Sequence, residues 1–249
     1  FVATGDQGEI HKVTPAGQGS VFFETEETHA RSLAVDAKGN LIVGTDPGGL
    51  IIRVAPDGNG FVLHQSSKRE VTAVAVAKDG TVYAAAVGSK APVVVPPVVP
   101  QPAPTTGRPP SAAAPAAAAQ RPQQGPVLPP TLTITPTVAG GAEVYRIDPD
   151  GAPLRVWNHA TDIVYALAFD GQGRPLLGTG NRGRIYRIDS AHLNTLLVSS
   201  TSTQVTAFAS SPKGPVYAVT ANIGRLFQLG PTLEKQGTLE SEVLDAGSF

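Results

Sequence analysis

The chain has 249 residues, a formal net charge of −1 and a pI near 6.6. That length suits one large all-β domain or two ordinary ones, and the near-neutral charge gives no electrostatic reason to expect nucleic acid or an anionic membrane as partner. With no Cys, disulfides and thiolate metal sites are excluded, and no apolar run approaches the roughly 18–20 residues that span a bilayer.

Short apolar runs bounded by Gly, Pro, Asp and Asn follow one another from the start, as in hairpin-linked strands. "EIHKV" (9–13) follows Gly8. Then come "SLAVD" (32–36), a turn at Gly39, "LIVGT" (41–45), a turn at Gly49, "LIIRV" (50–54), the turn "PDG" (56–58) and "FVLHQ" (61–65). The same order returns as "AVAVA" (73–77), Gly80, "VYAAA" (82–86), then "EVYRI" (143–147), "PDG" (149–151) and "LRVWN" (154–158). It returns again as "ALAFD" (166–170), Gly173, "LLGT" (176–179), Gly183, "RIYRI" (184–188) and "TLLVS" (195–199). A last pass reads "AFASS" (207–211), Gly214, "VYAVT" (216–220), Gly224 and "RLFQL" (225–229).

The third strands set the period. Val13 and Val54 are 41 residues apart, as are Ile147, Ile188 and Leu229, while Val54 to Ile147 spans 93. One 41-residue unit of four strands therefore occurs five times, with an insertion of about 52 residues in the third copy. Several strands are apolar on both faces, which fits sheets stacked on neighbouring sheets, and Ala34, Ala75, Ala168 and Ala209 would let first strands crowd around an axis. The first copy begins at a second strand. Together with the absence of Met and a start at Phe1, this reads as a processed or cropped piece of a longer protein.

The insertion, 90–141, carries Pro and Ala runs such as "PVVVPPVVP" and "SAAAPAAAA". Dense Pro precludes helix and central strand and favours extended polyproline II or disorder, so it reads as a low-complexity loop within a single propeller spanning 1–249. A docking tether and a tolerated solvated loop both fit it.

The repeats "LAVDAKGNLIVGTDPGGLIIRVAPDG" and "YALAFDGQGRPLLGTGNRGRIYRID" resemble those of NHL-type, Trp-Asp-type and gluconolactonase/regucalcin-type propellers of bacteria. The resemblance implies an all-β β-propeller of four-stranded antiparallel blades, five of them visible, within a ring of six or seven. No copy has the Trp-Asp or Gly-His signature of the Trp-Asp family.

Candidate chemistry is sparse. "GTGNRG" (178–183) precedes a β-rich run rather than a helix and lacks a P-loop Lys-Ser/Thr pair, so its glycines read as hairpin turns. Lys12, Arg53, Arg146 and Arg187 form a basic column expected to pair with Asp or with a carbonyl of the adjacent blade. His11, His29, His64, His159 and His192 show no metal-ligand spacing, and no G-x-S-x-G elbow occurs. The gluconolactonase resemblance implies a divalent metal held by Glu, Asn and Asp. Glu26, Glu27, Asp46, Asp162, Asn181 and Asn222 are oxygen donors near the relevant face but do not reproduce one ligand set.

Loops between second and third strands share a face with the connections between blades. The expected ligand or partner face therefore comprises Asp6, Glu27, His29, Arg31, Asp46, Arg69, Asp162, Tyr165, Asn181, Arg182 and Asn222. Arg31, Thr72, Tyr165 and Thr206 begin the innermost strands and should ring the channel mouth. The expectation is a non-catalytic binding or scaffolding module, extracytoplasmic, taking a protein or small-molecule ligand, with no cofactor and no catalytic residue. The alternatives are a metal-dependent lactonase and the ligand-sensing ectodomain of a signalling receptor, whose repeats resemble "GTDPGGLIIR".

Overall fold

Among the described residues, eighteen strands form five antiparallel sheets that follow one another along the chain. The computed structural model describes residues 1–90, 140–210 and 214–230. Blade A comprises β1 (Val2–Ala3), β2 (Glu9–Val13) and β3 (Gly19–Glu24). Blade B comprises β4 (His29–Val35), β5 (Leu41–Asp46), β6 (Leu50–Val54) and β7 (Gly60–Gln65). Blade C has β8 (Lys68–Val76), β9 (Val82–Ser89), β10 (Ala142–Ile147) and β11 (Pro153–His159). Blade D has β12 (Val164–Phe169), β13 (Pro175–Thr179), β14 (Arg184–Ser190) and β15 (Leu193–Ser199). Blade E has β16 (Gln204–Ser210), β17 (Val216–Ala221) and β18 (Leu226–Leu229). The expected all-β propeller of four-stranded antiparallel blades is what the chain forms.

Packing between blades explains the doubly apolar strands. β5 and β13 are buried at every residue, because each faces a blade on both sides. β17 alternates buried and exposed, with Tyr217 and Val219 on its open side and Ala218 in one cluster with Val205 of its own blade and Ile185 of blade D. Each fully buried Ile, Leu or Val, such as Ile42, Leu177 or Val144, contributes about 1.5–3 kcal/mol. One contact repeats between blades: the ring of a third strand lies on a fourth-strand ring of the preceding blade. His64 meets Tyr145 at 4.6 Å and Trp157 meets Tyr186 at 5.5 Å between centroids.

The turns are built by repeated side chains. Thr4, Thr45, Thr179 and Thr220 end the second strands, and their hydroxyls accept the N–H of Glu9, Leu50, Arg184 and Arg225 at 2.9–3.2 Å. Blade C has Ala86 at this position, where residues 90–141 enter between β9 and β10. Those two strands nevertheless pair in unbroken register from Val87↔Ala142 to Val82↔Ile147.

The basic column does meet Asp, but within its own blade, and the Nε of Arg53 is buried with no hydrogen-bond partner among the described residues. Arg146 and Arg187 pair with Asp148 and Asp189, two residues along their own strands, at 2.8 and 2.7 Å. Lys12 lies over the Phe1 and Phe22 rings instead. A residue and its second neighbour project from the same side of a strand, so a cation and an acid two apart meet without help from another blade.

Candidate binding face

The second-to-third-strand turns and the blade connections do share one end of the blades, because hydrogen bonds run between them. The Asp6 N–H donates to His29 Nδ1 at 3.0 Å and the Gly48 N–H to Glu27 Oε2 at 2.8 Å. Gly183 donates to the Thr203 carbonyl at 2.9 Å, and Asn222 Nδ2 to Thr203 Oγ1 at 2.7 Å. Asp6, Asn181 and Asn222 occupy the same turn position with φ of 67°, 67° and 61°. Asp and Asn are the residues that enter this left-handed region most readily, so backbone shape accounts for them before any ligand does.

The innermost strands share a feature that composition does not reveal. Register slips between Ala30 and Ser32, Val71 and Ala73, Val164 and Ala166, and Val205 and Ala207. Arg31, Thr72, Tyr165 and Thr206 are thus the extra residues of four β-bulges at one repeat position. A bulge leaves its extra residue out of the ladder and re-aims the side chain. Arg31 reaches the next blade through Glu70 at 2.8 Å, and Thr72 Oγ1 donates to the Val164 carbonyl at 2.6 Å. Thr206 Oγ1 donates to the Val219 carbonyl of its own blade at 3.4 Å. Tyr165 is exposed, its ring lying against Gly180, where any Cβ would collide with it, and its hydroxyl is unbonded among the described residues.

On blades A to C the face is tied together by charge. Asp46, 8% exposed, accepts Arg69 Nε at 3.0 Å and lies 3.9 Å from His29 Nε2. Lys90 Nζ donates to the carbonyls of Gly48 and Ser66, each at 2.6 Å. Glu143 is buried beneath, accepting Tyr145 and Ser67 on Oε2 and Arg155 on Oε1 at 3.0 Å, with Lys68 Nζ at 3.7 Å. Burial opposes its charge, but the Tyr145 and Ser67 hydroxyls, Lys68 and Arg155 together hold its carboxyl below the usual value. Beside it opens a cleft of about 350 Å³ lined by Lys68, Glu143, Asn158 and His159. A second cleft, of about 260 Å³, lies by Arg155, Trp157, His192 and Asn194.

Asp162, expected on the face, is fully buried. Its Oδ2 accepts the Tyr186 hydroxyl at 3.0 Å and Arg184 Nη1 at 3.4 Å, while its N–H and that of Thr161 donate to His159 Nδ1. The carboxylate closes the blade C–D connection from inside. Asn181 Nδ2 is bonded to the Thr161 carbonyl. Arg182 is exposed, with no partner among the described residues. Of the oxygen donors considered for a metal, Asp46 and Asp162 are thus engaged by arginines. Among the described residues no three His, Asp or Glu side chains are grouped to hold an ion.

Sequence reasoning placed the loop 68–70 on the face but singled out only Arg69 in it, and it overlooked Lys90 and Glu143. Only Glu143 left a trace: it heads its third strand, where Glu9 and Arg184 head theirs, so this position repeatedly carries charge. Among the described residues no helix is long and apolar enough to cross a membrane.

No protein-family profile matches the chain, and no curated protein sequence does. Solved structures do. A gluconolactonase from Xanthomonas campestris aligns with a TM-score of 0.52 at 17% identity, over 88% of this chain and 65% of that one. The extracellular domain of a protein assigned to the hybrid two-component systems of B. thetaiotaomicron aligns at 0.56 and 13% identity, over 90% of this chain and 25% of that one. A chain of the nidogen/laminin complex aligns at 0.56 and 11% identity, over 92% and 73%. The chain therefore spans about two thirds of the gluconolactonase and a quarter of the two-component protein. At these identities the likeness establishes the fold: the chain resembles gluconolactonase-like and NHL-type propellers in architecture.

Proposed function

We propose that the chain is a non-catalytic binding module that holds a partner on the face carrying the second-to-third-strand turns and the blade connections. The observation that carries this is the state of that face. Four bulges at one repeat position turn Arg31, Thr72, Tyr165 and Thr206 toward the inner strand ends, and on the last two blades the Tyr165 hydroxyl, Arg182 and Arg225 have no partner among the described residues. A bulge repeated in every complete inner strand is a positioning device, since it sacrifices ladder hydrogen bonds. Propellers of this fold occur in a protein complex and in an extracellular domain, which supports an extracytoplasmic setting and a macromolecular partner.

The test compares the two ends of the blades. Replacing Arg182 by Ala and Asn222 by Gly alters the proposed face, whereas replacing Lys38 and Lys78 by Ala alters the opposite turns. The expected result is specific retention of a partner that the first pair abolishes and the second leaves intact. Equal retention by both pairs overturns the reading, as does lactone hydrolysis that requires added calcium or zinc, which would establish the metal-dependent enzyme instead.

A further inference from the structure

Blades D and E repeat one arrangement with two parts exchanged. In blade D, Arg184 follows the turn and pairs with the buried Asp162 of the preceding connection. Forty-one residues on, Arg225 holds the place of Arg184, but Thr203 holds that of Asp162 and Phe227 that of Tyr186. The cation is kept while its internal carboxylate and the supporting hydroxyl are gone. Arg225 is exposed and has no partner among the described residues. Arg182, at the tip of the preceding turn, is in the same state.

The two turns brace one segment. Gly183 donates to the Thr203 carbonyl, Thr220 Oγ1 lies 3.1 Å from Ser202 Oγ, and Asn222 Nδ2 bonds Thr203. Asp162, the carboxylate at this end of blades D and E, is engaged by Arg184, while Asp170 and Asp189, at the opposite end, pair with Arg174 and Arg187. The described residues from 160 to 230 hold five arginines against three aspartates, an excess of two positive charges in a chain whose formal net charge is −1. Tyr165 adds a half-open ring on the same side, held against Gly180.

Neither described cleft includes Tyr165, Arg182 or Arg225. Small ligands are mostly enclosed by clefts, whereas exposed Tyr and Arg on an open surface are the residue types that anchor protein interfaces. We propose that this half of the face receives an extended acidic segment of a protein partner. Its carboxylates take up Arg182 and Arg225 and an apolar side chain rests on Tyr165. The proposal rests on the reading of the face as a binding surface and specifies its chemistry.

The test uses the full chain and fluorescence polarisation with three short labelled peptide pools of matched length. One is built from Glu, Asp, Phe and Ser, one from Gln, Asn, Phe and Ser, and one from Lys, Arg, Phe and Ser. The acidic pool is expected to bind, and to weaken as salt screens the contact. Arg182→Ala, Arg225→Ala and Tyr165→Ala should each weaken it roughly tenfold. Lys78→Ala, in a turn at the opposite end of the blades, should leave it unchanged. Thr203→Asp is the sharpest variant, because it returns to Arg225 the carboxylate that blade D supplies to Arg184, and it should weaken binding as much as Arg225→Ala. The proposal is overturned if the neutral pool binds as tightly as the acidic one, if no pool binds, or if Thr203→Asp changes nothing. Binding of a neutral or basic pool that is lost with Asn222→Gly but survives Arg182→Ala overturns the acidic assignment alone and leaves the binding face standing.

Discussion

The two halves of the loop face share one backbone and differ in how their charges are spent. On blades A to C, Arg31, Lys68, Arg69 and Lys90 each meet an acid or a carbonyl. On blades D and E, Arg184 meets Asp162, but Arg182 and Arg225 meet nothing among the described residues. The frame beneath is nevertheless the same: left-handed glycines at Gly8, Gly49 and Gly183, a Thr hydroxyl closing the turn, a bulge in the inner strand. A repeat scaffold fixes geometry through its shared residues and leaves the remaining side chains free to diverge, so the difference between the halves is written in residues that hold no part of the frame.

Disturbing the shared frame should give the largest effects, equal in the two halves. Gly49 has φ +61° and Gly183 φ +53°, and a Cβ at either would press into a backbone carbonyl, of Lys68 or of Ser202. Gly49→Ala and Gly183→Ala are each expected to lower unfolding free energy by about 2–4 kcal/mol, from left-handed strain and the forced shift of the connection. Urea titration reads this directly. If only one of the pair were costly, the frame would not be common to both halves.

Buried carboxylates come next. Asp162→Ala leaves Tyr186 and Arg184 without their acceptor, and because the Arg184 side chain remains 23% exposed, water relieves part of the loss. The expected destabilisation is about 2–3 kcal/mol. Glu143→Gln removes the charge that Lys68 and Arg155 face and should cost about 1–3 kcal/mol by the same measurement.

These two residues also show how much could be read in the sequence. The 41-residue period was legible because Val, Ile and Leu recur at fixed third-strand positions, and burial on both faces of β5 and β13 followed from the lack of alternation. The face itself was legible from loop order alone. The burial of Asp162 was not, because it is imposed by Arg184 and Tyr186, 22 and 24 residues later, and a connection holding one Asp reads as an exposed loop. Nor were the bulges, since an extra Arg, Thr or Tyr leaves the apolar pattern of a strand almost unchanged. Asn181 and Asn222 stood out for a ligand, yet a left-handed backbone already requires such residues there.

Acidification should separate two contributions on the tied half. Burial, and then the Lys90 charge, lower the pKa of His64, whose ring packs at a tilt against Tyr145. A folded pKa below that of the unfolded chain favours the neutral ring, so stability should begin to fall as pH drops through about 6.5. His64→Phe keeps the ring contact and should remove this limb. Glu143 is depressed despite burial, through Tyr145, Ser67, Lys68 and Arg155, so its contribution is full above about 4.5 and is lost on further acidification. Glu143→Gln should flatten that lower limb and leave the upper one. Denaturant midpoints across the pH range check both, and a single limb unaffected by either variant would refute the assignment.

The smallest expected effects on stability are at the surface arginines, and here the comparison between halves is sharpest. Arg31 is half-exposed and pairs with Glu70 at 2.8 Å. Solvent screening and side-chain entropy reduce such a pair to about 0–1 kcal/mol, so a double-mutant cycle with Arg31→Ala and Glu70→Ala should return a coupling of about 0.5 kcal/mol. Arg182 has no hydrogen-bond or ion-pair partner among the described residues, and Arg182→Ala should alter unfolding free energy by less than about 0.5 kcal/mol. A residue without a structural contribution that nonetheless governs binding is what an interface anchor requires. Coupling of Arg182 to any acidic residue of its own chain, measured by the same cycle, would mean that the open half is tied as well, and the distinction between the two halves would disappear.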